Sequence, residues 1–156
     1  MAPTRVVGLP RLQTLYRRFV GLDLNKSRAK EILDIAEKKL NDIFEVAVER
    51  AKEEGREKVK MRDLPLTKGF KRTMQRYETK RENLDDPRLD LSPILDFLQP
   101  TIGTMILDEQ VKEKLPTIAA TTLLLIGYII KEVDPKARTP SKDDVKRAKQ
   151  ILDLTL

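Results

Sequence analysis

Nothing interrupts the helical period between residues 26 and 54. Ile32, Ala36, Leu40, Ile43, Ala47 and Ala51 recur every three or four residues, and Leu33, Phe44 and Val48 widen the stripe. At about 1.5 Å per residue, roughly thirty residues make a rod about 45 Å long. Such a rod cannot enclose a compact core alone, so it must cross a partner. Asn25 stands where an N-cap is needed, and Gly55 supplies the stop, because glycine takes the left-handed C-cap conformation without steric cost.

The rod is flanked by shorter elements. Residues 9–20 read as a short helix with Leu12, Leu15, Tyr16 and Phe19 on one stripe, and with Arg11, Arg17 and Arg18 off it. Gly21 ends that helix. Beyond Gly55, the segment Glu57-Lys58-Val59-Lys60 is long enough only for a brief extended stretch. Arg56 and Asp63 stand at its two ends, seven residues apart, where a guanidinium–carboxylate clamp can close across the loop. Asp63 is expected to open a third helix, from about Arg62 to Tyr77 or a little beyond, with Pro65 in its first turn, where backbone N–H groups lack helical partners anyway.

Residues 79–92 have mixed charge, an Asp-Asp-Pro and no period, which reads as a linker. The order short, long, short then repeats. Residues 92–98 form a short apolar helix closed by Gln99-Pro100, and residues 108–133 form a second long helix, almost wholly apolar over 118–130. Pro116 is expected to kink or restart that helix. Asp134-Pro135 ends it and residues 136–140 make a loop. Ser141 caps a last helix, with Asp144 three residues on, as in a capping box, and with a stripe of Val145, Ala148, Ile151 and Leu152. The expected fold is all-α: one unit over residues 1–78, a linker over 79–92 and a second unit over 93–156, packed together as one compact domain.

Composition narrows the function. The absence of Cys removes thiol chemistry, disulfides and Cys-based zinc sites, and the absence of His removes the commonest neutral-pH base and transition-metal ligand. No carboxylate or Lys cluster stands out, so neither an enzyme nor a metal or cofactor site is expected. The apolar run 118–130 is interrupted by Thr121, Thr122 and Gly127 and falls short of the roughly 18 residues that span a bilayer. No signal-peptide core follows the first charges, so a cytoplasmic protein without a membrane partner is expected. Residues 1–84 carry 21 Lys and Arg against 13 Asp and Glu, whereas residues 85–156 carry 10 against 12. That asymmetry suits a face that meets a polyanion, or else the well-solvated surface of a thermophilic protein.

The run Gly55-Arg56…Lys60…Asp63-Leu64 resembles the second loop of the histone fold, and with its helix lengths the chain resembles archaeal histones over about residues 10–77. A fuller likeness rests on Gly21-Leu22-Asp23-Leu24, Asp63-Leu64-Pro65-Leu66-Thr67-Lys68-Gly69, Pro93-Ile94-Leu95-Asp96 and Lys131-Glu132-Val133-Asp134-Pro135. In that order the chain is similar to a prokaryotic family, typified by thermophilic bacteria, in which two histone folds are fused and which is labelled a domain of unknown function. The resemblance implies an intramolecular handshake, a single-chain pseudodimer in which the first loop of one half lies beside the second loop of the other. Lys58 and Lys60 would then stand near residues 99–107, and Arg138 near residues 21–25.

The resemblance also implies sequence-independent binding of double-stranded DNA in nucleoid organisation, through phosphate neutralisation. The candidate contacts are Arg11, Arg17 and Arg18 on the first helix, Arg56, Lys58, Lys60 and Arg62 in the loop, and Lys136 and Arg138 in the matching loop of the second half. Lys68, Lys71, Arg72 and Arg76 on the third helix are further candidates. Residues 92–107 contain no Lys or Arg, and Arg138 lies six residues before Asp144 instead of seven. Those departures favour a rival, a histone-fold module that binds a protein partner and not DNA. Tyr16, Tyr77 and Tyr128 are too scattered for a single-strand stacking platform. A monomeric pseudodimer or a weak homo-oligomer is expected.

Overall fold

The computed structural model describes residues 3–82 and 105–155. They form α1 (Pro3–Phe19), α2 (Lys26–Glu53), a 3-10 turn (Met61–Asp63), α3 (Lys68–Glu82), α4 (Glu109–Val133) and α5 (Lys142–Thr155). The only β pairing among the described residues is one isolated bridge, so the architecture is all-helical.

Caps chosen by residue chemistry set several of these boundaries. The Asn25 side chain accepts the Arg28 N–H at 2.8 Å, closing the first turn of α2. Gly21 and Gly55 have φ of +78° and +73°, the left-handed region that ends α1 and α2. At α5, Ser141 Oγ accepts the Asp144 N–H at 3.1 Å while the Asp144 carboxylate accepts the Ser141 N–H at 3.0 Å, a reciprocal capping box.

Four sequence expectations need correction. First, α3 begins at Lys68 and not at Arg62. Asp63 belongs to the 3-10 turn, and Leu64, before Pro65, is extended at φ −70° and ψ 127° because the proline ring disfavours a helical predecessor. Thr67 takes over the capping role, its Oγ1 accepting the Phe70 N–H at 3.1 Å. Second, α1 starts at Pro3 and runs through Pro10, well before Leu9. Third, α3 extends to Glu82, so residues 79–82 are helix and not linker. Fourth, α4 is continuous through Pro116 and does not restart there. The rest of the linker, and the short helix expected over 92–98 with its Gln99-Pro100 stop, lie outside the described residues.

The long helices α2 and α4 cross within one core. Ile32, Leu33, Leu40, Phe44 and Ala47 of α2 are buried in the same cluster as Ile118, Leu123, Leu124 and Ile130 of α4. The shorter helices pack crosswise. α3 follows α2 in the chain but lies on α4, and α5 follows α4 but reaches α2 as well as α4. Each half therefore covers apolar surface belonging to the other, which for burial of this kind is the dominant stabilising term.

Two further contacts tie the halves. Lys39 is 5% exposed on α2 and places Nζ 2.6 Å from Asp153 Oδ1 on α5. Tyr16 of α1 is fully buried and donates its hydroxyl to the Leu123 carbonyl of α4. Its ring lies over Gly127, where an added Cβ would stand 3.0 Å from Tyr16 Cε2 and Cζ and from Val20 Cγ2. By length and composition α4 could cross a bilayer. Here, however, it carries Ile118, Ala119, Ala120, Leu123, Leu124 and Ile126 into the protein interior, as the central helix of a core does.

Candidate nucleic-acid interface

The loop candidates Arg56, Lys58, Lys60, Arg62, Lys136 and Arg138 stand at the two ends of the crossed pair, and main-chain hydrogen bonds hold each end together. At the first end, Val59 N–H donates to the Ile106 carbonyl at 2.8 Å and Asp108 N–H donates to the Val59 carbonyl at 2.9 Å. They make a parallel bridge between Val59 and Leu107, both buried. At the second end, Asp23 N–H donates to the Arg138 carbonyl at 2.7 Å. The 28 residues of α2 lie between these ends, about 42 Å at 1.5 Å per residue.

The first end is locked by charge. Arg56 donates Nη1 to Asp63 Oδ2 at 2.9 Å and Nη2 to Oδ1 at 2.8 Å, a two-bond fork. The same carboxylate accepts the Lys60 N–H at 2.8 Å, and Asp63 is 1% exposed. The hydrogen bonds from Arg56 hold the Asp63 carboxyl at about 2. Burial opposes that shift, while the Lys60 N–H and the charges of Arg56 and Arg62 add to it. The same hydrogen bond raises the pKa of Arg56. Arg56 also donates to the Lys58 carbonyl at 2.9 Å, which fixes the loop outline.

The second end lacks such a fork. Asp144 is engaged in the capping box with Ser141, and Lys131 Nζ donates to the Ala137 carbonyl at 3.0 Å to close the 134–140 loop. Arg138 contributes its backbone carbonyl to the junction, and its side chain is exposed.

The nine candidate contacts divide by what already holds them. Lys58, Lys136 and Arg138 are exposed, and Lys60 is half-buried in the junction. Three others already have carboxylate partners: Arg56 with Asp63, Arg62 with Glu54 at 2.9 Å, and Arg17 with Asp23 at 3.2 Å. Arg11 is half-buried and Arg18 is exposed on α1, and both have interactions of their own. Lys68, Lys71, Arg72 and Arg76 lie exposed along α3, away from the loop junctions. The charge at the ends is therefore partly compensated, with free cationic character concentrated on Lys58, Lys136 and Arg138.

Sequence reasoning missed two features. Lys39 occupies a position of the buried stripe, three after Ala36 and four before Ile43, and that register was the available signal. A groove of about 580 Å³ also opens beside the first end, with Glu45, Glu49, Lys52 and Glu57 around Val48, Met105 and Ile106. Ile106 is 52% exposed there. No run of sequence pointed to it, because its walls come from both halves.

Comparison with known proteins adds the family. A crystal structure of a protein from Thermus thermophilus is similar over 95% of this chain and 97% of its own, with a TM-score of 0.80 and 30% identity. A crystal structure of a protein from Aquifex aeolicus shares the fold over 96% of this chain and 95% of its own, with a TM-score of 0.77 and 21% identity. An uncharacterised protein of Aquifex aeolicus is 25% identical over 128 residues, which are 79% of this chain and 77% of that protein. The model of a family described as a domain of unknown function, DUF1931, matches residues 12–153, and the chain belongs to that family.

Proposed function

We propose that this is a histone-like protein: two histone-fold units fused in one chain, clasped as a pseudodimer, binding double-stranded DNA without sequence preference in the nucleoid. One observation carries the reading. Each loop after a long helix is hydrogen-bonded to the segment before the other long helix, at Val59 with Ile106 and Asp108, and at Arg138 with Asp23. This crosswise pairing sets Lys58 and Lys60 at one end, and Lys136 and Arg138 at the other, about 42 Å apart along α2. A helical turn of duplex spans about 34 Å, so a duplex that bridges the two ends meets cations more than a turn apart. The contacts are to phosphate and carry no base readout.

The test is a titration of duplex DNA at rising salt. With about six phosphate contacts, log K falls against log salt with a slope near −5, equally for unrelated sequences. Absence of binding at about 50 mM salt removes the reading.

A second reading, a protein-interaction module without DNA binding, is favoured by the glutamate-rimmed groove around Val48, Met105 and Ile106. Three carboxylates against the single Lys52 in that groove disfavour a polyanion and suit a basic partner. Recovery of one protein partner after nuclease treatment, together with failure of the titration, selects it.

A further inference from the structure

A second open notch lies between α1, α3 and α4. It measures about 520 Å³ and is lined by Phe19, Gln75, Arg76, Thr79, Lys80 and Tyr128. No carboxylate is among these described lining residues, whereas the groove at the first end carries three glutamates and the groove between α2 and α5 carries Glu31 and Asp34. Gln75, Arg76, Thr79 and Lys80 stand at i, i+1, i+4 and i+5, so one flank of α3 presents an amide, a guanidinium, a hydroxyl and an ammonium together.

Both cations are held in place by groups that leave their donors available. The Arg76 guanidinium carbon lies 5.6 Å from the Tyr128 ring centroid, and Lys80 Nζ lies 4.9 Å from that of Phe19. Lys80 donates one of its three protons to the Arg18 carbonyl at 3.0 Å. Among the described residues neither cation has a carboxylate within ion-pair distance, unlike Arg56, Arg62 and Arg17. Phe19 already meets Tyr77 at 5.4 Å as well as Lys80, so its ring is not free to stack a base. The notch therefore suits the charged end of a ligand and not an aromatic one.

We infer that the notch is a phosphoryl-binding site in which Arg76 and Lys80 take the charge and Gln75 completes the hydrogen bonding. Arg76 offers the planar fork that matches two phosphoryl oxygens, and Lys80 supplies a point charge. None of its lining residues belongs to a loop junction, and Arg76 is the one it shares with the candidate DNA contacts on α3.

Calorimetric titration of the full chain with inorganic phosphate at low salt tests it. The expected result is saturable, one-to-one binding, weakened at least tenfold in R76Q and K80Q and left unchanged in K142Q on α5. Q75E provides an arm that does not depend on either ring contact: it places a carboxylate in the notch at an exposed position and abolishes phosphate binding while circular dichroism and melting stay those of the wild type. Non-saturating heats in the wild type, or equal affinity in folded Q75E, overturn the proposal.

Competition by duplex DNA identifies the source of the phosphoryl group. If a short duplex displaces phosphate from the wild type and Q75E weakens the duplex, the group belongs to a nucleic-acid backbone. If the duplex leaves phosphate binding intact, the site takes a soluble phosphorylated ligand, and this holds even if the chain binds no DNA.

Discussion

The two ends of the molecule have the same connection and different locks. At the first, seven residues separate Arg56 from Asp63, the fork closes with bonds of 2.9 and 2.8 Å, and two main-chain bonds reach across to residues 106 and 108. At the second, Asp144 caps α5 through Ser141, and one main-chain bond, from Asp23, reaches the loop. Both aspartates accept the backbone N–H three residues before them, Lys60 for Asp63 and Ser141 for Asp144, and Asp63 adds the arginine fork.

That contrast is broken most directly by Asp63→Ala. It removes the two fork bonds of the Arg56 guanidinium, which keeps Glu54 and the Lys58 carbonyl, and leaves the Lys60 N–H without its acceptor, so a loss of about 3 kcal/mol is expected in denaturant unfolding. Acid probes the same contact. The Asp63 carboxyl is lowered to about 2 by the Arg56 hydrogen bonds, and Asp153 is lowered to about 2 by those of Lys39 and then Lys149. A lowered folded-state pKa adds stability that is full above the unfolded value near 4 and disappears as pH falls through 2. Melting temperature should therefore drop between about pH 4 and 2, and drop less in Asp63→Ala than in the wild type.

The crossing between the ends gives the next effect. Gly127→Ala forces a Cβ to 3.0 Å from Tyr16 and Val20 at a buried contact, with an expected cost of about 2 kcal/mol in the same unfolding measurement. Asp144→Ala removes only a cap and should cost about 1 kcal/mol. A cost equal to that of Asp63→Ala would mean that the two ends are braced alike. The smallest change is in binding. Neutralising Lys136 and Arg138 together should reduce the steepness of the DNA salt dependence by about 1.8, and neutralising Lys58 and Lys60 should do so by a similar amount. A change confined to one pair would show that only that end touches the duplex.

Much of this was legible because caps and periods are local. Asn25, Gly55 and Ser141 announce helix ends through their own side-chain or backbone chemistry, and the stripe from Ile32 to Ala51 marks the buried face of α2. The Arg56–Asp63 clamp was legible in its spacing, but the start of α3 is hidden because Asp63 looks like an N-cap, whereas Leu64 stays extended before Pro65 and Thr67 does the capping. The Tyr16–Gly127 approach, the Lys39–Asp153 pair and the notch beside Lys80 join residues far apart in the chain. A sequence states each partner but not the meeting.

The crosswise pairing of the two halves is tested most directly by a disulfide, since the chain contains no Cys of its own. Val59 and Leu107 face each other across the parallel bridge, and paired strands lie about 4.8 Å apart, within disulfide reach. The account predicts that the double variant V59C/L107C oxidises to an intramolecular crosslink and melts at a higher temperature than its reduced form. A variant that stays reduced, or that crosslinks only between molecules, would contradict it.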